Sequence, residues 1–246
     1  MTIEVAFTPA SLAKDEIAGK TVFVIDVLRA TTTVCAALAK GARGVIPVGS
    51  IEEATRLAQT LGPADVLLAG ERNMLPIPGF ALGNSPLEMT ETVVQGKTIV
   101  MTTTNGTAAL LATGGAAEVY LAAAVNLEAA SRRARSVVEA GGSILILCAG
   151  RAGQFGLDDA YTAGRLVAKL RDGRRLDRLN DAAVAALDLV RRYRDWRRPF
   201  ELSAAGRGLA AVGLAADVAE AAREDRYPVL PRYRERRIQV LAPEMV

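Results

Sequence analysis

Residues 19–54 read GKTVFVIDVLRATTTVCAALAKGARGVIPVGSIEEA, and the pattern recurs at residues 96–130 as GKTIVMTTTNGTAALLATGGAAEVYLAAAVNLEAA. Each stretch opens on a β-branched strand, passes through a Thr-rich turn, and enters a helix of small residues closed by Gly near Gly41 or Gly114. A second strand follows in each (Gly44 to Val48; Glu118 to Ala122), and then a helix entry capped by Ser50 or by Asn126. A third strand ends each copy in a similar phrase, LLAGERN (67–73) or LCAGRAG (147–153). Gly19 and Gly96 stand 77 positions apart and Gly70 and Gly150 stand 80 apart, so the register holds with small insertions. Strands that alternate with helices and are apolar almost throughout require a mostly parallel sheet covered on both faces. The expectation is a three-layer α/β/α fold with an internal repeat, copies at about 19–73 and 96–153 forming two similar lobes of one integrated unit over 1–246.

Outward from the repeat, the tail from about 180 to 246 reads as a helical extension. Asn180 to Arg194 forms one helix, Ser203 caps a shorter one through Leu214, Asp217 to Arg223 is helical, and Arg237 to Leu241 is a closing strand. The chain holds no His, which removes His-based zinc sites, Ser-His-Asp triads and phosphohistidine chemistry together. Acid–base or metal chemistry must then rest on carboxylates, whose oxygens suit a hard ion such as Mg²⁺. Cys35 and Cys148 lie inside apolar runs and read as buried free thiols. A cysteine-phosphatase loop is excluded because Gln154 stands where its Arg belongs, and Leu28 breaks the Asp-x-Asp of an aspartyl-phosphate enzyme. No apolar run of about 18 residues and no apolar leader core occur, so the expectation is a cytoplasmic protein without membrane contact. Net charge is only +3, and the Arg-rich stretch 171–198 reads as a solvated face rather than a nucleic-acid patch.

The polar phrases all follow strands, at the edge where open α/β sheets bind ligands. Asp26 ends an apolar strand, a costly place for an unpaired carboxylate. Arg29 and the hydroxyls of Thr31, Thr32 and Thr33 beside it suit an oxyanion at a helix N-terminus, or else an Asp–Arg structural pair with a Thr cap. GERNMLPIPGFALGNSP (70–86) concentrates Glu71, Arg72, Asn73, Asn84 and Ser85 among Gly and Pro, marking a shaped loop. In the second copy Thr103, Thr104, Asn105 and Gly106 offer neutral donors or helix caps, and Arg151 offers a cation at a strand end. Asp158 and Asp159 open the next helix, where acids suit the dipole with or without a function. Taken together, Asp26, Glu71, Asp158 and Asp159 make a candidate magnesium site, Asp26 and Glu71 candidate catalytic groups, and Arg29, Arg72 and Arg151 a clamp for a multiply anionic substrate.

DVLRATTT, GERN…GFALGNSP, TTTNGT and AGRAGQFGLDDAYTAG, in that order from about Lys20 to Gly164, resemble the motifs of the 2-phosphosulfolactate phosphatase family. The resemblance implies a magnesium-dependent acid phosphatase that converts 2-phosphosulfolactate to sulfolactate, a step in coenzyme M synthesis, with a homodimer as a further expectation. Three departures fall in the motifs: Met74 replaces Gly, Ala81 replaces Asp, and Asp158 replaces Glu. They place substrate preference and direct ligation by Asp158 in question. The rivals are a phosphatase of the same type acting on another phospho-acid, a non-catalytic anion-binding protein, and a nucleic-acid accessory protein.

Overall fold

Residues 2–13, 16–62, 65–171 and 179–240 are described by a computed structural model. Part of the Arg-rich stretch (172–178) and the Leu241 end of the expected last strand lie outside these residues. In chain order the strands are β1 (Ile3–Ala6), β2 (Thr21–Ile25), β3 (Gly44–Pro47), β4 (Val66–Arg72), β5 (Leu75–Pro76), β6 (Thr98–Thr102), β7 (Glu118–Leu121), β8 (Ile144–Cys148), β9 (Pro231–Arg234) and β10 (Arg237–Val240). The helices are α1 (Ala30–Ala39), α2 (Ile51–Leu61), α3 (Glu91–Val94), α4 (Gly106–Leu111), α5 (Leu127–Glu139), α6 (Leu157–Leu170), α7 (Asp181–Arg192), α8 (Arg197–Leu202), α9 (Ala204–Ala211) and α10 (Ala215–Ala221). Every residue of β2, β6 and β8 is buried. That requires cover on both faces, as the three-layer pattern predicts. α1 is buried along nearly its whole length, which its run of Ala, Thr, Val and Cys permits. α2 instead buries only Ala54 and is capped as expected, Ser50 Oγ accepting from Glu53 N–H at 3.1 Å.

The described residues form a 10-stranded sheet in the order β1-β8-β2-β7-β9-β10-β3-β6-β4-β5. This order interlaces the two copies. β2 of the first copy lies between β8 and β7 of the second, while β6 of the second lies between β4 and β3 of the first. Both triplets are parallel and share one register: Thr21 faces Glu118 and Ile144, as Thr98 faces Gly44 and Val66. Loop hydrogen bonds repeat as well, Ala117 N–H to Lys20 O at 2.9 Å matching Arg43 N–H to Lys97 O at 2.8 Å. Two similar lobes result, and each contains strands from both copies.

Between the lobes stands the hairpin β9–β10, which pairs antiparallel with β7 on one side and β3 on the other. The tail is thus more than a helical extension. Its helices include α7, capped by Asn180 Oδ1 from Ala183 N–H, and α9, capped by Ser203 Oγ from Gly206 N–H. Its last strands occupy the centre of the sheet. Two further details differ from the sequence reading. Asn126 does not cap α5; its Oδ1 accepts from Ala123 N–H at 2.8 Å and its Nδ2 donates to Leu121 O and Val229 O. The Gly41 counterpart is Gly115 rather than Gly114: Gly19 N–H donates to Gly115 O as Gly96 N–H donates to Gly41 O.

The three antiparallel junctions make the two lobes run in opposite directions. In a flat sheet their ligand-binding edges would be far apart. In this chain the strand ends of the two lobes nonetheless meet. The outcome is contact: a Cβ built on Gly106, after β6, would lie 2.7 Å from Asp26 Oδ2, after β2. No helix among the described residues is long and apolar enough to cross a membrane.

Candidate active site

Where the edges meet lies a cavity of about 270 Å³ lined by Asp26, Arg29, Glu71, Asn73, Asn84, Thr103, Thr104, Asn105, Arg151, Asp158 and Asp159 among others. Nearly every charged or amide residue singled out in the sequence is therefore in one place. A larger groove of about 920 Å³ beside the β9–β10 hairpin carries five Arg but only Glu53 and Glu235 as acids, and none of the repeat motifs' strand-end phrases.

Asp26 enters the cavity directly from β2. Its Oδ1 accepts from Ala30 N–H at 3.2 Å, and its main chain is tied to Thr31, so the carboxylate is held rigidly. Among the described residues no donor bonds to Oδ2, which faces the space that the missing Gly106 side chain leaves open. Glycine at 106 is a steric requirement here, because any side chain would strike Asp26 and Ala30.

The first Thr cluster does not reach the cavity. Thr31, Thr32 and Thr33 donate their hydroxyls to Asp26 O, Val27 O and Asn84 O, at 2.9, 2.8 and 2.9 Å. They lock the strand–helix junction, and the expectation that they bind substrate gives way to a structural role. Arg72 also turns away, donating to Glu71 O and Thr102 Oγ1. Ser85 Oγ donates to Asp217 Oδ1 at 2.6 Å and is absent from the lining.

Arg29 lines the cavity but is not a free clamp. Its Nη1 donates to Asp217 Oδ2 at 2.7 Å and its Nη2 to Met74 O at 2.8 Å, with both members of the ion pair almost wholly buried. Asp217, 188 residues later on α10, was invisible as a partner in sequence. Glu71 is equally committed. Oε1 accepts from Thr104 N–H and Oγ1, at 2.7 and 2.8 Å, and Oε2 accepts from Met74 N–H at 2.8 Å. Glu71 thus joins the β4–β5 turn to the β6 loop, the first copy to the second.

From the second copy, Asn105 Oδ1 accepts from Ala152 N–H, which fixes the loop that carries Arg151. Arg151 is exposed, with one anchor from Nη1 to Ala204 O at 2.7 Å. Asp159 closes the floor: Oδ1 accepts from Val27 N–H and Oδ2 from Gly150 N–H. Asn84 is 5% exposed, and its Oδ1 is the one buried side-chain polar atom among the described residues that has no partner. A buried amide oxygen left unsatisfied is costly, and a ligand donor is a physical reason to keep it.

Three acids share this pocket with little compensation. Burial, then the charges of Asp158 and Glu71, push Asp26 up to about 7 against the pull of the Ala30 N–H and Arg29. Burial likewise lifts Asp158 to about 6. Asp159 is raised well above the carboxylate range by burial and then by its two acidic neighbours. Among the described residues no three His, Cys, Asp or Glu side chains form a ready-made metal cage. Both oxygens of Glu71 and of Asp159 are already occupied by hydrogen bonds within the protein. That leaves Asp26 and Asp158, buried carboxylates without an ion pair among the described residues, Asp158 being hydrogen-bonded to Ser203 and drawn by the charge of Arg151. This donor set fits magnesium in its usual manner, one or two carboxylates completed by water and phosphate oxygens, and does not fit the four-carboxylate site expected from sequence.

The chain is thus an interlaced α/β sheet without His and with an acid-rich cleft at its strand ends. The match to known sequences is specific: the model of the 2-phosphosulpholactate phosphatase family covers residues 6–236, and the chain belongs to that family. A protein of Symbiobacterium thermophilum named probable 2-phosphosulfolactate phosphatase is 41% identical over 92% of this chain and 97% of its own. Proteins with the same name from Thermus thermophilus (44%, over 85% of this chain and 87% of its own) and Clostridium acetobutylicum (33%, over 95% and 97%) are similar along nearly their whole lengths.

Proposed function

We propose that this chain is a magnesium-dependent phosphatase that hydrolyses the phosphate monoester of a small, strongly anionic acid, 2-phosphosulfolactate being the favoured substrate and sulfolactate and phosphate the products. Family membership supports the reaction class. The observation that supports the site assignment is the single cleft holding Asp26, Asp158, Asn84 and Arg151 together, with Asn84 Oδ1 lacking a partner among the described residues. Asp26 and Asp158 would hold Mg²⁺, which supplies neutralisation of phosphate oxygens and activation of water. Arg151 would take anionic oxygens with the fork of its guanidinium, and the Thr103–Asn105 loop and the Asn84 amide would orient the ester. Glu71 acts on position rather than on substrate, through Thr104 and Met74. A cytoplasmic homodimer serving coenzyme M synthesis is the setting this reading carries with it.

Phosphate release from 2-phosphosulfolactate and from related phosphorylated carboxylic acids, with metal removed and then restored, tests the proposal. Turnover should require Mg²⁺ or Mn²⁺. Full turnover in a verified metal-free sample would remove the metal from the mechanism. A different preferred ester would shift the substrate assignment, and anion binding without any release would favour a non-catalytic binder.

Two further results are expected. Arg151→Ala should lower kcat/KM roughly 10–100-fold, the worth of a charge-assisted hydrogen bond, with thermal stability nearly unchanged because Arg151 is exposed. Arg151→Lys should recover part of it, since Lys lacks the bidentate fork. Kinetics equal to wild type in Arg151→Ala would exclude the clamp.

The second concerns pH. Asp26 and Asp158 have folded-state values above their unfolded ones, so their protonated forms favour folding. That contribution is fully present below about pH 4 and is lost as pH rises through about 6 to 7. Metal-free protein should melt lower at pH 8 than at pH 5.5, by about 5 °C, and Mg²⁺ should narrow the gap. A pH-independent melting temperature without metal would show that the two acids are not taxed by burial.

A further inference from the structure

Met74 has a backbone φ of +71°, which L residues with large side chains rarely adopt. Both its main-chain polar groups are engaged, N–H to Glu71 Oε2 and O to Arg29 Nη2, so the turn between β4 and β5 holds that conformation. From this turn the thioether reaches across to α9. It packs so closely on Gly208 that a Cβ there would lie 2.8 Å from Sδ and nearer still to Cε. Met74 and the α9 residues Ala204, Ala205 and Leu209 all line the cleft that holds Asp26 and Arg151. The apolar contact therefore joins the first-copy wall of the cleft to its C-terminal wall. The volume of the cleft is about 270 Å³, below the range of pockets for drug-sized ligands.

We propose that Met74, seated against Gly208, is the size-determining residue of this cleft, restricting it to compact phospho-acids. This rests on the cleft being the phospho-ester site. A side chain retained at a strained backbone position, with no hydrogen bond of its own to contribute, is expected to act through the space it fills. Its sulfur and methyl groups bar longer acids from the α9 side, and they offer an apolar wall to the carbon skeleton of short ones. Gly208 makes room for that contact, so the two residues should act as a coupled pair.

The test uses a ladder of phospho-acids from phosphoglycolate and phospholactate to phosphomalate and longer dicarboxylates, with inorganic phosphate as a size-independent probe. Met74→Gly suits the positive φ and should fold. Its kcat/KM for the longest acid relative to the shortest should rise at least ~10-fold, the usual effect of one or two methylene groups in a fitted pocket. Affinity for inorganic phosphate should stay within about twofold. Gly208→Ala, which must displace the flexible tip of Met74, should alter the ratio in the wild-type background and leave it unchanged in Met74→Gly. Equal ratios in wild type and Met74→Gly, with both turning over the ladder, would overturn the size role and leave the phosphatase assignment intact. If neither protein cleaves any ester, binding of the same ladder is measured instead. A Met74-dependent size cut-off then upholds the inference while the phosphatase reading fails, and no anion binding by either protein sinks both.

Discussion

Asp26→Asn is expected to lower kcat/KM by at least ~10³-fold while leaving the melting temperature at pH 8 unchanged or a few degrees higher. The two effects have one cause. The carboxylate is buried beside Asp158 and Glu71 and held up to about 7, so the folded protein bears an electrostatic cost that a neutral amide of the same shape does not. Asn keeps Oδ1 to accept from Ala30 N–H, and Gly106 leaves room for the amide. Loss of activity combined with retained or increased stability is the signature of a group kept for function. Activity within tenfold of wild type would show that the chemistry does not pass through Asp26. A collapse of stability would instead reassign it to the scaffold.

Arg29→Ala should destabilise the fold by about 3–5 kcal/mol, because it strands Asp217 as an uncompensated buried charge. For a chain of this size that is a fall of roughly 6–20 °C in melting temperature. Sequence alone leaves two readings of Arg29, an anion clamp or a structural pair with Asp26. The 2.7 Å pair with Asp217, at 4% and 2% side-chain exposure, decides for the structural role but with a different partner. An apolar replacement of both partners, Arg29→Met with Asp217→Leu, should recover much of the loss even though activity stays low. Denaturant unfolding of the three variants checks this. An Arg29→Ala protein as stable as wild type would mean that the guanidinium is available to ligand after all.

Why some of this was legible in sequence and some was not follows from the range over which each signal acts. Asp26 stood out because a carboxylate ending four apolar strand residues is locally anomalous, whatever surrounds it. The strand–helix repeat was legible for the same reason, since periodicity is local. Thr31, Thr32 and Thr33 misled because a hydroxyl cluster opening a helix looks identical whether it meets an anion or its own backbone. Only the burial of α1 on all sides, with carbonyls of Asp26, Val27 and Asn84 in reach, shows the latter. The hairpin's place at the centre of the sheet had no local signature: PRYR and RIQV are short, basic and look like edge strands. Glu71 was legible as a polar residue of a shaped loop, but its bonds to Thr104 and Met74, which occupy both oxygens, had no local signature.

The crossing of strands between the copies also constrains how such a chain can have arisen. A single repeat unit, on its own, has its first strand flanked by nothing it encodes, so a half-length forebear would be stable only as a self-exchanging pair. In such a pair every contact at the junction would be made twice, and both copies would carry the same charges there. Joining the units end to end frees the copies to differ. Position 26 and its counterpart 103 are now Asp and Thr, and the positions after Gly70 and Gly150 are Glu and Arg. Covalent fusion thereby converts a junction with identical charges on both sides into one whose two sides differ.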